Sequence, residues 1–218
     1  YGMFLTMFPN LGTQEICYNG IEILDENLYE KFLSEYPYED LTIDKIVDYL
    51  KEGKILGLVD GYSEVGPRAL GNRSIICDPS FPNMKDILNA KVKHREWYRP
   101  FAPVVRLQDV SKYFEFEGES RWMGFCPKVR EEWRDTLISI THVDGTARVQ
   151  TVTEEQNPWL YNLLTEFEKK SGIGVLLNTS FNINGKPILS RYSDALWVYD
   201  KTEMDCLVLG EYYFRKHI

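Results

Sequence analysis

The chain has 218 residues, of which 44% are hydrophobic and 27% charged, as is typical of a globular protein with a core of ordinary size. Its net charge is −8, yet residues 66–106 form a basic segment with eight Lys or Arg against three Asp or Glu. This charge pattern favours a small anionic ligand over a nucleic-acid backbone, which requires a broad basic face.

Membrane insertion, secretion and a cysteine-based metal site are not expected. No apolar run approaches the roughly 18 residues that a membrane helix requires, and no stretch has the basic-then-apolar pattern of a secretory leader. The four cysteines, at positions 17, 77, 126 and 206, are too scattered for a zinc knuckle or a compact disulfide framework. We therefore expect reduced thiols in a cytoplasmic protein.

Residues 1–40 are predicted to be an acidic N-terminal connector or arm, and residues 41–218 the folded domain. Within the arm, one short helix is predicted between Asp25 and Tyr36, and Pro37 ends it. Because the chain begins at Tyr1 and not at a Met, we expect that a further segment precedes it.

The segments from residue 41 onward alternate between helix and strand, which indicates one α/β (α+β) domain. Helices are predicted over residues 42–53, 84–93, 157–170 and 193–199, the first from apolar residues at i, i+3, i+4 and i+7. Strands are predicted over residues 55–60, 74–77, 104–105, 175–177 and 206–209, with a strand pair over 141–152 around the Asp144-Gly145 turn. Residues 107–135 are predicted to be an irregular excursion.

The first polar cluster follows the strand over residues 55–60 and reads Glu64-Val-Gly-Pro-Arg-Ala-Leu-Gly-Asn-Arg-Ser74. Gly66 and Gly71 free the backbone on either side of Arg68. A glycine-rich turn after a buried strand is a layout in which backbone N–H groups converge on an anion, and arginine suits phosphate or carboxylate oxygens. A surface turn with solvated arginines is the competing interpretation.

The second polar cluster, residues 91–103, carries its basic residues within nine positions: Lys91, Lys93, Arg95 and Arg99. Its prolines preclude a regular helix across the end of the segment. A run of charges is ordinarily a solvated face. Here the aromatic residues Trp97, Tyr98 and Phe101 alternate with the bases, which favours a segment that packs while it presents its charges to a cleft.

Two further clusters lie in the second half of the chain. Arg148 falls inside the second arm of the predicted strand pair and points either to solvent or into a cleft, whereas the nearby His142 is expected to be structural. The segment Asn178-Thr-Ser-Phe-Asn182 directly follows the strand over 175–177, at a position where α/β sheets bind ligands. A simple polar turn after the strand is the competing interpretation there.

Four stretches together resemble the C-terminal region of the NodU/CmcH-type O-carbamoyltransferases, in the same order: residues 61–74, 89–103, 143–152 and 177–182. Two departures stand out. Glu96-Trp-Tyr-Arg99 replaces the usual Glu-Pro-Phe-Arg, and Lys186 stands where an acid is common.

The resemblance implies a YrdC/Sua5-like domain, an open twisted mixed sheet flanked by helices, that forms carbamoyl adenylate from carbamoyl phosphate and ATP, the latter with Mg²⁺. In that family a separate N-terminal domain resembles the Kae1 fold, holds a metal through histidines and an aspartate, and passes the carbamoyl group to a substrate hydroxyl. The three histidines of this chain are isolated, so a catalytic metal is expected only in such a domain, in the same or a separate chain.

The resemblance also implies roles for individual residues, because this reaction requires charge neutralisation and positioning more than proton transfer. The predicted catalytic residues are Arg68, Lys93 and Arg99. The predicted ATP- and substrate-binding residues are Arg73, Arg95, Arg148, Asn178, Ser180 and Asn182.

Two alternatives to the enzyme stay open. One is an ATP-binding module that is inactive without its partner domain, and the other is an RNA-binding YrdC-like module, against which the net charge of −8 counts. The sequence determines neither the carbamoyl acceptor nor the oligomeric state, and a homodimer stays open.

Overall fold

The fold is described by a computed structural model for residues 18, 20 and 22–216. The α-helices of this part of the chain are α1 (Tyr29–Glu35), α2 (Ile43–Lys51), α3 (Met84–Leu88), α4 (Val110–Tyr113), α5 (Pro158–Ser171) and α6 (Tyr192–Lys201). A π-helical turn, Asn89–Lys93, continues α3, and 3-10 turns cover Glu26–Leu28, Leu107–Asp109 and Glu131–Trp133. None of the described helices has both the length and the apolar composition needed to cross a membrane.

The strands form one mixed sheet in the order β1-β8-β7-β2-β3-β6-β4-β5. Their bounds are β1 (Tyr38–Asp40), β2 (Leu56–Val59), β3 (Arg73–Cys77), β4 (Ala102–Arg106), β5 (Gln150–Val152), β6 (Val175–Ser180), β7 (Cys206–Leu209) and β8 (Tyr212–Arg215). The pairs β2/β7 and β4/β5 are parallel, and the other neighbouring pairs are antiparallel. The predicted mixed α/β fold is therefore confirmed.

Helices cover both faces of the sheet, because side chains alternate in direction along each strand. On one face, α2 and α5 pack against Leu56, Leu58 and Ile76. On the other face, α3, α6 and parts of the segment between α4 and β5 pack against Val59 and Ile75. The sheet interior is thus apolar on both sides, and polar groups are left to gather where strands end.

The predicted helices are confirmed, with small shifts in their bounds. Asn157 accepts a hydrogen bond from the N–H of Leu160 at 2.9 Å and so caps α5, which ends at Gly172 with φ of +80°. The helix predicted over residues 84–93 changes from α to π at Asn89.

Three expectations differ from the structure. The strand pair predicted over 141–152 is wrong, since only β5 is a strand and residues before it form turns with isolated bridges. The prediction also missed β8 and the short strand β1, which lies within the segment assigned above to the connector. In that segment the carboxylate of Asp25 accepts hydrogen bonds from the N–H groups of Tyr192 and Ser193 and so caps α6.

The described cysteines, at positions 77, 126 and 206, are free thiols, as predicted. The fourth, Cys17, lies outside the described residues.

Candidate functional site

A buried lysine lies against the end of the interior strand β6. Lys93 closes the π-helical turn after α3, and His94, with φ of +47°, redirects the chain immediately after it. The Lys93 ammonium donates to the backbone oxygens of Ser180 (2.8 Å) and Asn182 (2.9 Å), and to Asn182 Oδ1 (2.7 Å). Since Lys93 is only 3% exposed, these contacts hold its charge where β6 ends.

Ser180 and Asn182 form the other side of this contact. The Ser180 hydroxyl donates to Asn182 Oδ1 at 2.8 Å and lies 3.4 Å from Lys93 Nζ. The amide of Asn182 donates in turn to the backbone oxygen of Lys186 at 2.6 Å. The structure therefore brings together a predicted cation and two predicted polar residues that are 87 and 89 positions away in the sequence.

Positive charges lie within electrostatic range of one another from Lys93 to Arg148, and the pKa values of Lys93, Arg95 and Arg148 are lowered. Burial, and then the charges of Arg95 and Arg99, lower the pKa of Lys93 to about 7. Burial and the charges of Arg99 and Arg148 lower the pKa of Arg95 to about 10. Burial and the charge of Arg68 lower the pKa of Arg148. We call these five residues the cation cluster, and an anion placed among them would relieve their repulsion.

The cation cluster has little negative charge of its own. Among the described residues its ion pair is that of Arg99 with Glu96, at 3.6 Å, where both side chains are about half exposed. Neither Arg68 nor Arg148 forms an ion pair with a described residue, and the buried Nε of Arg148 has no hydrogen-bond partner there. The described residues contain no group of three or more His, Cys, Asp or Glu suited to a metal ion.

Arg95 is held by its own segment rather than by an acid. Its guanidinium lies over the Phe101 ring, 4.3 Å from the ring centroid, and donates to Asn89 Oδ1 at 3.3 Å and to the backbone oxygen of Pro100 at 3.2 Å. The predicted alternation of aromatic residues and bases is therefore realised as a cation–π contact. Lys93 faces inward from the same segment.

A glutamate holds the loop that carries Arg68. Glu64 Oε1 accepts hydrogen bonds from the backbone N–H groups of Leu70 (2.7 Å), Asn72 (2.8 Å) and Arg73 (3.1 Å). Glu64 is buried, whereas Arg68 is exposed at the turn between the two ends of this loop. The carboxylate of Glu64 thus joins the two ends of this loop, and Arg68 projects from the loop between them.

The glycines of this loop have the conformations that the sequence predicts. Gly66 and Gly71 have φ of +115° and +128°. At Gly71 a Cβ would also lie 2.8 Å from Leu160 Cδ2, so any other residue would be strained by this φ and would displace the Leu160 side chain of α5.

A buried amide network ties the same loop to β5 and β6. Gln150 donates to the backbone oxygen of Leu70 at 2.6 Å and accepts from the Asn178 amide at 2.7 Å. The Asn178 amide also donates to the backbone oxygen of Ala69 at 3.2 Å. Asn178 is 1% exposed, so its contacts hold the Arg68 loop from the buried side of that loop.

Residues 47–216 match the family model described as Carbamoyltransferase C-terminus. The chain belongs to this family. Two similar proteins are the nodulation protein NolO of Bradyrhizobium diazoefficiens, 41% identical over 95% of this chain, and a 3′-hydroxymethylcephem-O-carbamoyltransferase of Amycolatopsis lactamdurans, 36% identical over 91% of it. The chain spans 37% of the length of each.

The carbamoyltransferase C-terminal fold also has a relative among solved structures. Full-length HypF, in its phosphate- and nucleotide-bound form, matches 79% of this chain with a TM-score of 0.57 and 21% identity, and the match covers 25% of HypF. At this identity the likeness concerns the fold alone. It confirms the predicted YrdC-like class of open mixed sheet.

Arg73 stands apart from the other family-matched cations. It is fully buried, and its guanidinium donates to the backbone oxygens of Asp60 (2.7 Å), Gly61 (2.8 Å) and Asn72 (2.8 Å). Burial lowers its pKa, while the negative charge of Glu64 opposes that shift. In this structure Arg73 supports the loop and does not join the cation cluster.

Sequence reasoning did not single out Glu64, Gln150 or Asn157 as parts of the site. The Asn157 amide donates to Asn72 Oδ1 at 2.9 Å and so connects α5 to the loop of Arg68. Glu64 and Gln150 do occur inside the motifs that resemble the family, and their place in those motifs could have indicated that they belong to the site. Glu64 contacts backbone N–H groups, and Gln150 contacts a backbone oxygen and the distant Asn178 amide, contacts that a sequence does not reveal.

Proposed function

We propose that this carbamoyltransferase C-terminal domain forms carbamoyl adenylate from carbamoyl phosphate and ATP. The cation cluster carries the proposal, because its positive charges lie within electrostatic range of their neighbours and the ion pair of the cluster is that of Arg99 with Glu96, at the exposed end. A triphosphate and a carbamoyl phosphate, with Mg²⁺ on the nucleotide, would supply the negative charge that the cluster lacks.

The reaction balances with one water. Carbamoyl phosphate is hydrolysed to carbamate and phosphate; a carbamate oxygen then bonds to the α-phosphorus of ATP, and the bond from that phosphorus to pyrophosphate breaks. Negative charge accumulates on phosphate oxygens in both steps. Preorganised cations stabilise such charge most effectively where water is excluded, as it is around Lys93.

We assign each residue of the cation cluster a part in stabilising this negative charge according to how exposed its side chain is. Lys93 is fixed by Ser180 and Asn182 and would neutralise charge at the buried end of the site. Arg68 and Arg99 are exposed and would bind the phosphates from the open side, and Arg95 and Arg148 lie between these extremes. Arginine at several of these positions suits bidentate contacts with phosphate.

Transfer to an acceptor belongs to the same proposal. Because the chain spans about a third of the length of its curated relatives, we assign the transfer of the carbamoyl group to a substrate hydroxyl to a metal-bearing, Kae1-like N-terminal domain, in the same or a separate chain.

The experiment is carbamoyl-phosphate-dependent exchange of labelled pyrophosphate into ATP by this chain. Exchange that requires carbamoyl phosphate supports the proposal, and a folded sample that binds ATP without exchange overturns it for the isolated domain. Exchange that returns only when the metal-bearing domain is added favours the nucleotide-binding module. RNA affinity that falls steeply with salt would favour the RNA-binding module instead.

A further inference from the structure

We propose that an N-terminal segment holds the loop of Arg68 in position for anion binding, and that Tyr18 is a positioning residue of the cation cluster. This segment comprises the described residues 18, 20 and 22–25. The inference rests on the proposed function, because it concerns how one cation of that site is kept in place. Tyr18 lies before residues 47–216, which match the family model, and outside the four motifs that resemble the family.

The peptide groups of Leu70 fix the loop two residues after Arg68. The N–H of Leu70 donates to Glu64 Oε1 at 2.7 Å, and its carbonyl oxygen accepts from Gln150 Nε2 at 2.6 Å and from the Tyr18 hydroxyl at 3.0 Å. A carbonyl oxygen has two lone pairs, so it can accept from both donors. Glu64 belongs to the loop itself and Gln150 to β5, whereas Tyr18 reaches Leu70 from the N-terminal segment.

The ring of Tyr18 packs in the same place as its hydroxyl. It lies against a small apolar cluster of Leu70, Ala102 and Met123, which are all buried. Ala102 begins β4, directly after the segment that carries Arg95. Tyr18 therefore contacts the apolar side chains that join the loop of one cation to the segment of another.

A second contact joins the N-terminal segment to the chain that leads into this loop. The N–H of Gly20 donates to the backbone oxygen of Ser63 at 2.9 Å. A Cβ at position 20 would lie 2.4 Å from that oxygen and from Ser63 Oγ, so a larger residue would force the two chains apart. In addition, the carboxylate of Glu22 accepts a hydrogen bond from the Tyr62 hydroxyl.

The far end of the segment is attached to the start of α6. The N–H of Leu24 donates to the backbone oxygen of Ser190 at 3.1 Å. The carboxylate of Asp25 accepts from the N–H groups of Tyr192 at 2.7 Å and Ser193 at 3.0 Å. Because both ends are bonded to the folded domain, the segment is a fixed support for its contacts with the loop.

The conformation of the Arg68 loop explains why such support matters for binding. Arg68 is exposed between Gly66 and Gly71, and glycines lose more conformational freedom on ordering than other residues do. A loop that is ordered before the anion arrives loses less entropy when the anion binds, so its affinity is higher. Loss of the Tyr18 contact should therefore weaken binding even though Tyr18 does not touch the anion.

The test measures the binding of inorganic tripolyphosphate by calorimetry to Tyr18→Phe, to Arg68→Ala and to the double variant. Phenylalanine keeps the ring on the apolar cluster and removes only the hydroxyl, so we expect a folded protein that binds tripolyphosphate roughly fivefold more weakly. In the Arg68→Ala background the same substitution should have no further effect, because the cation that the loop positions is gone. A residue that merely stabilises the fold would not distinguish between these two backgrounds.

Hydrogen exchange provides a readout of the loop that does not depend on binding. The N–H groups of Leu70, Asn72 and Arg73, which the buried glutamate holds, should exchange faster in Tyr18→Phe than in the unaltered chain. Tyr38→Phe is the matched control. Tyr38 is 43% exposed, and none of the hydrogen bonds between described residues involves its hydroxyl, so its replacement should change neither exchange nor binding.

A pair of glycine variants tests the second contact. Gly20→Ala should weaken tripolyphosphate binding at least as much as Tyr18→Phe, because the added Cβ forces the segment away from Ser63. Gly124→Ala is its control, since a Cβ there meets no atom within 4 Å, and it should bind tripolyphosphate like the unaltered chain.

Each outcome has a distinct meaning. If Tyr18→Phe and Gly20→Ala bind tripolyphosphate like the unaltered chain, the inference is overturned. It is also overturned if Tyr18→Phe weakens binding equally with and without Arg68, because Tyr18 then acts on another part of the site. If the expected pattern holds but the unaltered chain gives no pyrophosphate exchange, the positioning role stands and the proposed reaction fails. If exchange occurs without that pattern, the reaction stands and the positioning role fails.

Discussion

Lys93 Nζ lies 2.7 Å from Asn182 Oδ1, and the other oxygens to which it donates are also neutral. A buried ammonium is usually paired with a carboxylate, because burial without a counter-charge lowers the pKa. Here the counter-charge is missing, and the pKa of Lys93 falls to about 7. The lysine is therefore set to gain a charge partner when an anion binds.

The first prediction is a pH dependence of tripolyphosphate or ATP binding. A bound anion raises the pKa of Lys93, so between the free value of about 7 and the higher bound value the complex holds a proton that the free protein lacks. Affinity should fall as the pH rises above 7, and binding at pH 8 should take up protons. Calorimetry in buffers of different ionisation enthalpy measures the uptake.

Lys93→Arg provides the control for this prediction. Arginine stays charged at pH 8, so proton uptake by this position should disappear while anion binding persists. Unchanged proton uptake in Lys93→Arg would show that another group titrates.

The second prediction couples Glu64 to Arg68. Arg68→Ala should lower pyrophosphate exchange roughly 100-fold, a magnitude common for the loss of one charge-stabilising donor, and leave the melting temperature unchanged because the side chain is exposed. Glu64→Ala should cause a comparable loss, since three backbone N–H groups lose the acceptor that shapes the loop.

A double-mutant cycle distinguishes positioning from a separate role. If Glu64 acts through Arg68, the double variant should be no less active than either single variant. If the loss of exchange activity in the double variant equals the product of the losses in the two single variants, Glu64 has an effect that is independent of Arg68. Glu64→Gln retains one acceptor oxygen and should recover part of the activity, which a purely ionic role would not allow.

The third prediction separates two arginines of the same motif. Arg73→Met should destabilise the protein by roughly 3 kcal/mol, because three backbone oxygens lose their buried donor. Thermal and denaturant unfolding measure the change, with Arg68→Ala as the matched control. A stable Arg73→Met variant without pyrophosphate exchange would contradict this structural role and indicate that Arg73 binds a ligand.

The fourth prediction concerns the acidic segment before β1. Asp25 is buried, and its carboxylate accepts from Tyr192 N at 2.7 Å, Ser193 N at 3.0 Å and the Ser193 hydroxyl at 2.6 Å. Asp25→Ala should lower the free energy of unfolding by about 2 kcal/mol, the upper range for a lost helix cap. Hydrogen exchange should report the loss first in α6, and protection there equal to that of the unaltered chain would argue against the cap.

The sequence predicted most of the regular structure but little of the connectivity between distant segments. Helix α2 follows from the spacing of Ile43, Ile46, Val47 and Leu50, because such a face is local information. β5 could not be recognised as the parallel neighbour of β4, since that pairing joins residues more than forty positions apart. The neighbouring Val and Thr residues therefore suggested a local hairpin that does not form.

The cation cluster shows the same limit at the level of single residues. Arg68 and Arg73 are five positions apart in one motif, and the family resemblance implied a role at the phosphate site for both. Arg73 begins β3, whose residues are all buried, whereas Arg68 lies in the exposed turn before it. Which arginine meets solvent depends on the start of that strand, and sequence reasoning places such boundaries least accurately.

Both edge strands of the sheet have features that disfavour the addition of a further strand. β1 has three residues, and its Glu39 forms ion pairs with Lys45 at 2.9 Å and Arg215 at 3.0 Å. At the other edge, the N–H of Thr151 in β5 already donates to the backbone oxygen of Ser120 at 3.1 Å. Short, charged or covered edges discourage the edge-to-edge association that leads to aggregation. Extension of this sheet by a strand of a partner polypeptide is therefore disfavoured at both edges.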